Sequence, residues 1–294
     1  MPRRPELPAL TGLRFAAAVA VVLVHLRGHL AALLPASAPL DPALSAGALG
    51  VEVFFVLSGF ILAYHYLDAF PRVDARAYGR FLRHRLARIY PLHLATLALF
   101  AALIGGVALL GRPIANSEAY GLRDLAANLT LTQCWTLRDC GVSWNGPTWS
   151  LSAEWLAYLA FPLLAVTVRR IPRGTPLLAA IGATVAAQLW ASEVAVLNGG
   201  IGRITGTFLL GVLLARLHTD GLPRLRWDAV AAWAAATASI TAIALATAGR
   251  APTPVVPLFG VLVLGLANAP DSRLSRLLGA PRMRFWGQAS YGLY

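Results

Sequence analysis

Residues 10–33 read LTGLRFAAAVAVVLVHLRGHLAAL, an apolar stretch broken only by two arginines and two histidines. A helix needs about 20 apolar residues to cross the hydrocarbon core of a membrane. This stretch therefore predicts a membrane-spanning helix. Similar blocks follow at residues 48–67, 89–110, 148–168, 177–197, 201–217, 229–248 and 254–269, and a ninth begins near residue 285.

The composition agrees with a membrane protein. Hydrophobic residues make up 57% of the 294-residue chain and charged residues 13%, whereas soluble domains carry about 25% charged residues. This balance excludes a disordered chain and disfavours an ordinary soluble domain. We predict one all-α domain over residues 1–294, a polytopic bundle of about nine transmembrane helices whose last helix is incomplete.

The arginines indicate an orientation in the membrane. All 25 basic residues are arginine, and the formal net charge is +12, which in a soluble protein would suggest a nucleic-acid partner. Here eighteen arginines fall in loops on one side of the predicted spans and four on the other. Because cytoplasmic loops are enriched in positive charge, we predict a cytoplasmic N-terminus in the cell membrane, with lipid and not nucleic acid as the surroundings.

A group of arginines lies in the stretch just before the third predicted span. Apolar residues recur at three- and four-residue spacing between residues 78 and 89, which predicts an amphipathic helix on the cytoplasmic surface. Arg85 and Arg88 are neighbours on one face of this helix. Paired guanidinium groups suit phosphate, but attraction to anionic lipid is the better explanation at this point.

Four ionisable residues stand out among those inside predicted spans: Arg14, His25, Glu52 and Glu154. Inserting a charged side chain at the centre of a membrane helix costs about 2.5–3.5 kcal/mol of free energy on insertion scales. Each of these residues therefore needs a partner or a function. Eleven helical residues turn through three full turns plus about 20°, so Arg14 and His25 share one face and differ in depth by about 16 Å.

His25, Glu52 and Glu154 are expected at similar depths in the outer half of the membrane. A carboxylate orients an imidazole and stabilises its protonated form, as a general base requires. The alternatives are a buried histidine bonded to a neighbouring helix and glutamates that reach the interface.

Other motifs are few. Cys134 and Cys140 lie in the long loop that is predicted to face the outside. They are predicted either to form a disulfide or to remain two free thiols. We expect no metal site, since no metal-binding or nucleotide-binding motif occurs. Ser58 and Ser152 fit helix packing better than catalysis.

Several strings together carry a family resemblance. They are Arg14 with ten residues before His25, GVEVFFVLSGF at 50–60, RLARIYP at 85–91, PTWSLSAEW at 147–155 and the closing SYGLY at 290–294. Because these strings occur in this order, the chain resembles the acyltransferase-3 family of integral membrane acyltransferases. The resemblance runs from residue 7 to residue 294. Relatives usually continue beyond the position of residue 294 and complete the last helix.

The resemblance implies transfer of an acyl group, typically acetyl, from cytoplasmic acyl-coenzyme A. The acceptor is a hydroxyl of an extracytoplasmic glycan or of a secondary metabolite. The site residues that it implies are catalytic His25, Glu52 and Glu154, donor-binding Arg14, Arg85 and Arg88, and acceptor-binding Trp149 and Ser150.

Two points stay open from the sequence. His25 acts either as a general base in direct transfer or as part of a route through a covalent acyl-enzyme. The main alternative function is a multi-pass transporter or flippase that uses the same histidine and glutamates to relay protons.

Overall fold

The computed structural model describes residues 4–136, 140, 143–193, 199–251 and 253–290. Within these ranges every regular element is a helix, which confirms the all-α prediction. The α-helices are α1 (Pro8–Leu33), α2 (Asp41–Ala46), α3 (Gly50–Tyr66), α4 (Ala75–Leu109), α5 (Leu122–Leu129), α6 (Trp149–Arg170), α7 (Thr175–Glu193), α8 (Gly200–Asp220), α9 (Trp227–Thr247), α10 (Val256–Asn268), α11 (Arg273–Leu278) and α12 (Pro281–Ala289).

The number of spans is only partly confirmed. Six helical segments of the described chain are long and apolar enough to cross a membrane. Helix α10 has 13 residues and rises about 20 Å, less than the roughly 30 Å of hydrocarbon. The predicted ninth span begins as α12, but residues 291–294, and the loop arginines Arg3 and Arg138, lie outside the described residues.

The amphipathic stretch before the third span is not a separate helix, which corrects the sequence prediction. It forms the first part of α4, which runs unbroken for 35 residues with Pro91 inside it. The Asp74 carboxylate caps α4 by accepting a hydrogen bond from the backbone N–H of Ala77 at 2.8 Å. Membrane helices tolerate an internal proline because their surroundings satisfy the freed backbone group.

The chain divides into two compact units. The first comprises residues 1–71, 165–193 and 206–294, and the second comprises residues 72–164 and 194–205. The expectation of one membrane domain over residues 1–294 stays a prediction.

Close helix contacts hold the first unit together. A Cβ atom added at Gly59 of α3 would overlap the carbonyl of Phe208, and one added at Gly211 of α8 would overlap the carbonyl of Val56. Two glycines thus bring α3 and α8 into backbone contact, as small residues do in membrane bundles. Helix α9 buries a stripe of alanines, namely Ala231, Ala234, Ala238 and Ala242.

Aromatic and polar contacts hold the second unit together. Phe81 of α4 stacks on Phe161 of α6 with ring centroids 5.4 Å apart. The Tyr78 hydroxyl donates a hydrogen bond to the Leu159 carbonyl at 2.9 Å. On the other side of Pro91, the buried ring of His93 is hydrogen-bonded through Nε2 to the Asn128 carbonyl at 2.8 Å. The histidine thereby links α4 to α5.

Candidate active site

His25 has one ring nitrogen engaged by its own helix. Its Nδ1 atom lies 2.7 Å from the Val21 carbonyl oxygen, one turn earlier in α1. Because a carbonyl only accepts hydrogen bonds, this contact requires the proton on Nδ1. In the neutral ring Nε2 then carries a lone pair and can act as a base. The side chain is exposed on the surface of the chain.

Arg14 shares α1 with His25. The helix is continuous from Pro8 to Leu33, so the predicted placement of both side chains on one face is confirmed by the backbone. Arg14 is half-buried. It lies about 16 Å along the helix axis from His25, which is too far for the two side chains to act on one atom.

Glu52 is buried in the first unit, with only 1% of its surface exposed. It lies in the first turn of α3, where the positive end of the helix dipole favours a carboxylate. Gly50, at the start of the same turn, packs against Ala17 and the side chain of Val21 on α1. The start of α3 therefore contacts the residue whose carbonyl orients His25.

Arg85 and Arg88 lie one turn apart on α4, in the second unit. The guanidinium carbon of Arg85 is 5.8 Å from the centre of the Phe81 ring. Arg85 is half-buried and Arg88 is exposed. Stacking of this kind holds a planar guanidinium in a fixed orientation.

Glu154, also in the second unit, has a partner that the sequence reading did not name. The hydroxyl of Tyr158, one helical turn later in α6, donates a hydrogen bond to Glu154 Oε1 at 2.6 Å. Tyr158 is 1% exposed. The i, i+4 spacing was the available signal, since residues so spaced are neighbours on a helix.

Trp149 and Ser150 begin α6. The guanidinium carbon of Arg203 lies 4.4 Å from the centre of the Trp149 ring, within cation–π range. Ser150 is 1% exposed. No role for Arg203 was predicted from the sequence, although its position inside the apolar helix α8 was an available signal for one.

The cysteines are joined. Cys134 and Cys140 form a disulfide, which decides between the two open readings. Nearby, the Ser152 hydroxyl accepts a hydrogen bond from the Cys134 backbone N–H at 3.1 Å and donates one to the Leu131 carbonyl at 2.8 Å. Ser152 thus fastens the loop that contains Cys134 to α6, consistent with a packing role.

The predicted site residues fall into two sets. The first unit holds Arg14, His25 and Glu52 on two adjacent helices, and the second unit holds Arg85, Arg88, Trp149, Ser150 and Glu154. A family model described as "Acyltransferase domain" matches residues 7–294.

The chain belongs to the acyltransferase-3 family. Among curated proteins it is 37% identical over 174 residues to "Acyltransferase MdmB" of Streptomyces mycarofaciens, a match covering 58% of this chain and 42% of that relative. It is 33% identical over 138 residues to "Protein 2 in picA locus" of Rhizobium radiobacter, covering 46% of this chain and 71% of that protein. No solved structure gives a significant match to this acyltransferase-3 member.

Proposed function

We propose that this protein is a membrane-bound O-acyltransferase. It moves an acyl group, acetyl in the simplest case, from cytoplasmic acyl-coenzyme A to a hydroxyl of an extracytoplasmic glycan or a secondary metabolite. Membership of the acyltransferase-3 family supports the reaction class. The hydrogen bond between His25 Nδ1 and the Val21 carbonyl is the observation that carries the mechanism.

His25 acts as the general base. Its Nε2 atom takes the proton of the acceptor hydroxyl while the hydroxyl oxygen forms an ester bond to the acyl carbon. The thioester C–S bond breaks, and the departing thiolate accepts this proton from Nε2. Throughout, the Val21 carbonyl holds the Nδ1 proton, so the ring is fixed in orientation and in tautomer.

Glu52 supports the base electrostatically. Glu52 is buried in the first turn of α3, the helix whose Gly50 packs against α1. A buried negative charge on an adjacent helix stabilises the imidazolium that forms when His25 takes a proton. We therefore assign Glu52 to positioning and charge stabilisation.

The donor and acceptor are held by separate groups. Arg85 and Arg88 are proposed to bind phosphates of the donor through their forked guanidinium groups, and Arg14 is proposed to bind the donor as well. Trp149 and Ser150 at the start of α6 are proposed to contact the acceptor, with Glu154 held by Tyr158 beside them. We propose an N-terminus in the cytoplasm, where acyl-coenzyme A is made.

The decisive experiment uses the purified protein in lipid nanodiscs with acetyl-coenzyme A. Thiol release and a gain of about 42 Da on an acceptor, the mass of one acetyl group, are measured together. We expect His25→Ala to reduce both by about 10²- to 10⁴-fold.

His29→Ala is the matched control, since His29 is exposed on the same helix one turn further on. Full activity in His25→Ala would overturn the mechanism. Transport of an acceptor without any thiol release would favour the transporter alternative.

A further inference from the structure

Four arginines meet around two aspartates in the first unit. Arg4 and Arg169 each contact the Asp68 carboxylate at 2.5 Å. Arg173 and Arg216 contact the Asp220 carboxylate at 3.1 and 2.7 Å. We call these six side chains the four-arginine cluster. The sequence reading used these arginines only to orient the chain.

The cluster joins the ends of several helices. Arg4 precedes α1, Asp68 follows α3, Arg169 lies in the last turn of α6, and Asp220 ends α8. Gly221, in the left-handed conformation with φ +94°, stops α8 directly after Asp220. Since these ends meet, they lie on the same side of any membrane that the helices cross, as the arginine count predicted.

The charges do not cancel. Four guanidinium groups against two carboxylates leave a formal excess of two positive charges. At physiological pH a phosphate monoester carries about −1.5 to −2. The cluster therefore has the opposite charge of such a group, whereas a neutral sugar or a cation would gain nothing from it.

The hydrogen-bond donors are also in excess. Four guanidinium groups carry about 20 N–H donors. Among the described residues they contact four carboxylate oxygens, and Arg216 also reaches the Arg169 carbonyl at 3.4 Å. Many N–H groups thus remain for a ligand with several acceptor oxygens.

The cluster encloses space for a small group. A cavity of about 230 Å³ is lined by these six side chains together with Leu67 and Thr219. Pockets for drug-sized ligands measure about 300–1,000 Å³, so this cavity suits one headgroup and not a whole nucleotide.

We propose that the four-arginine cluster is a binding site for a phosphate monoester. If the proposed function is correct, the terminal 3′-phosphate of the acyl-coenzyme A donor is one source of that group. The headgroup of phosphatidic acid is the other source with the same chemistry. Arg173, which is 75% exposed, is free to swing onto the ligand, and Asp68 and Asp220 keep the remaining guanidinium groups spread around the cavity.

The test measures binding by the full chain in phosphatidylcholine nanodiscs, using calorimetry. Coenzyme A is compared with 3′-dephospho-coenzyme A, which lacks only the phosphate monoester. We expect the unaltered protein to bind coenzyme A about tenfold more tightly, because a charge-assisted hydrogen bond contributes roughly that much. Arg173→Gln and Arg216→Gln should reduce this preference to about twofold or less.

The matched control is Arg226→Gln. Arg226 is 85% exposed and pairs with Asp228, so this change removes one arginine charge from the same unit outside the cluster. It should leave the tenfold preference intact. Thermal unfolding of each variant checks that the fold is retained.

A second arm distinguishes the sources. The same variants are unfolded thermally in nanodiscs with and without phosphatidic acid. Stabilisation by phosphatidic acid that Arg173→Gln abolishes and Arg226→Gln preserves would support the site with the lipid as its source.

Equal affinity for both coenzyme A forms, together with no response to phosphatidic acid, would overturn the proposal. The proposed function fails separately. If the protein binds coenzyme A more tightly than 3′-dephospho-coenzyme A but releases no thiol from acetyl-coenzyme A, the phosphate site is supported and the proposed acyl transfer is contradicted.

Discussion

The imidazole Nδ1 of His25 lies 2.7 Å from the carbonyl oxygen of Val21, and the Val21 side chain in turn lies against Gly50 of the neighbouring helix. The orientation of His25 thus depends on α1 and on how closely α3 packs against it. A change at Gly50 is therefore expected to reach His25 without altering any charged group.

We expect Gly50→Val to reduce acyl transfer strongly. A Cβ atom at residue 50 would overlap the Ala17 carbonyl and the Val21 side chain, so α3 must move away from α1. Overpacking of this kind costs about 1–3 kcal/mol of stability. Thermal unfolding and thiol release measure the two effects.

Gly28→Val is the control for that change. A Cβ atom at residue 28 of α1 would meet nothing within 4 Å. Gly28→Val should therefore leave the unfolding temperature and the rate of thiol release nearly unchanged. Equal behaviour of the two variants would show that the contact at Gly50 does not position His25.

Replacing Arg85 or Arg88 by glutamine should weaken donor binding. Loss of one charge-assisted hydrogen bond is expected to raise the KM for acyl-coenzyme A about tenfold. The value of kcat should change less, because neither arginine is proposed to touch the reacting atoms. Arg83→Gln is the control, since Arg83 is exposed on the same helix. An unchanged KM in both variants would remove these arginines from the donor site.

Tyr158→Phe tests whether the hydroxyl holds Glu154 in place. The change keeps the ring that packs on Phe81 and removes the donor to Glu154 Oε1. We expect a loss of about 0.5–1.5 kcal/mol in stability and a higher KM for the acceptor, with the donor KM unchanged. Tyr120→Phe, which keeps the ring contact with Trp144, should leave both KM values unchanged. A fall in stability without any change in acceptor KM would mean that the hydroxyl is structural only.

Breaking the disulfide should destabilise the second unit modestly. Cys134 and Cys140 are six positions apart, and a loop of that size contributes about 2 kcal/mol in the chain-entropy account. We expect Cys140→Ser to lower the unfolding temperature and to make the unfolding temperature insensitive to reductant. The unaltered protein should respond to reductant by a similar amount. An unaltered protein that does not respond to reductant, with the same unfolding temperature as Cys140→Ser, would show that the disulfide does not contribute to stability.

The sequence was sufficient for most of the helices. Apolar blocks of about 20 residues predicted α1, α3, α6, α8 and α9 within a few residues of their observed ends, because the length of a membrane helix follows from hydropathy alone. It was misleading before the third span, where a separate amphipathic helix was expected and α4 instead runs unbroken. It also could not count spans, since a short helix such as α10 depends on its neighbours to be covered.

For the site, the sequence alone determined which residue types stand on one helix and at what spacing. It placed Arg14 and His25 on one face because helical periodicity is local and needs no knowledge of the rest of the chain. Only the tertiary structure decided contacts between distant residues, such as Gly50 against Val21, Arg203 on Trp149, and the meeting of Arg4, Arg169 and Arg216 around two aspartates. Those contacts depend on how helices pack, and packing is set by the shapes of all the side chains in the interface, which no spacing rule encodes.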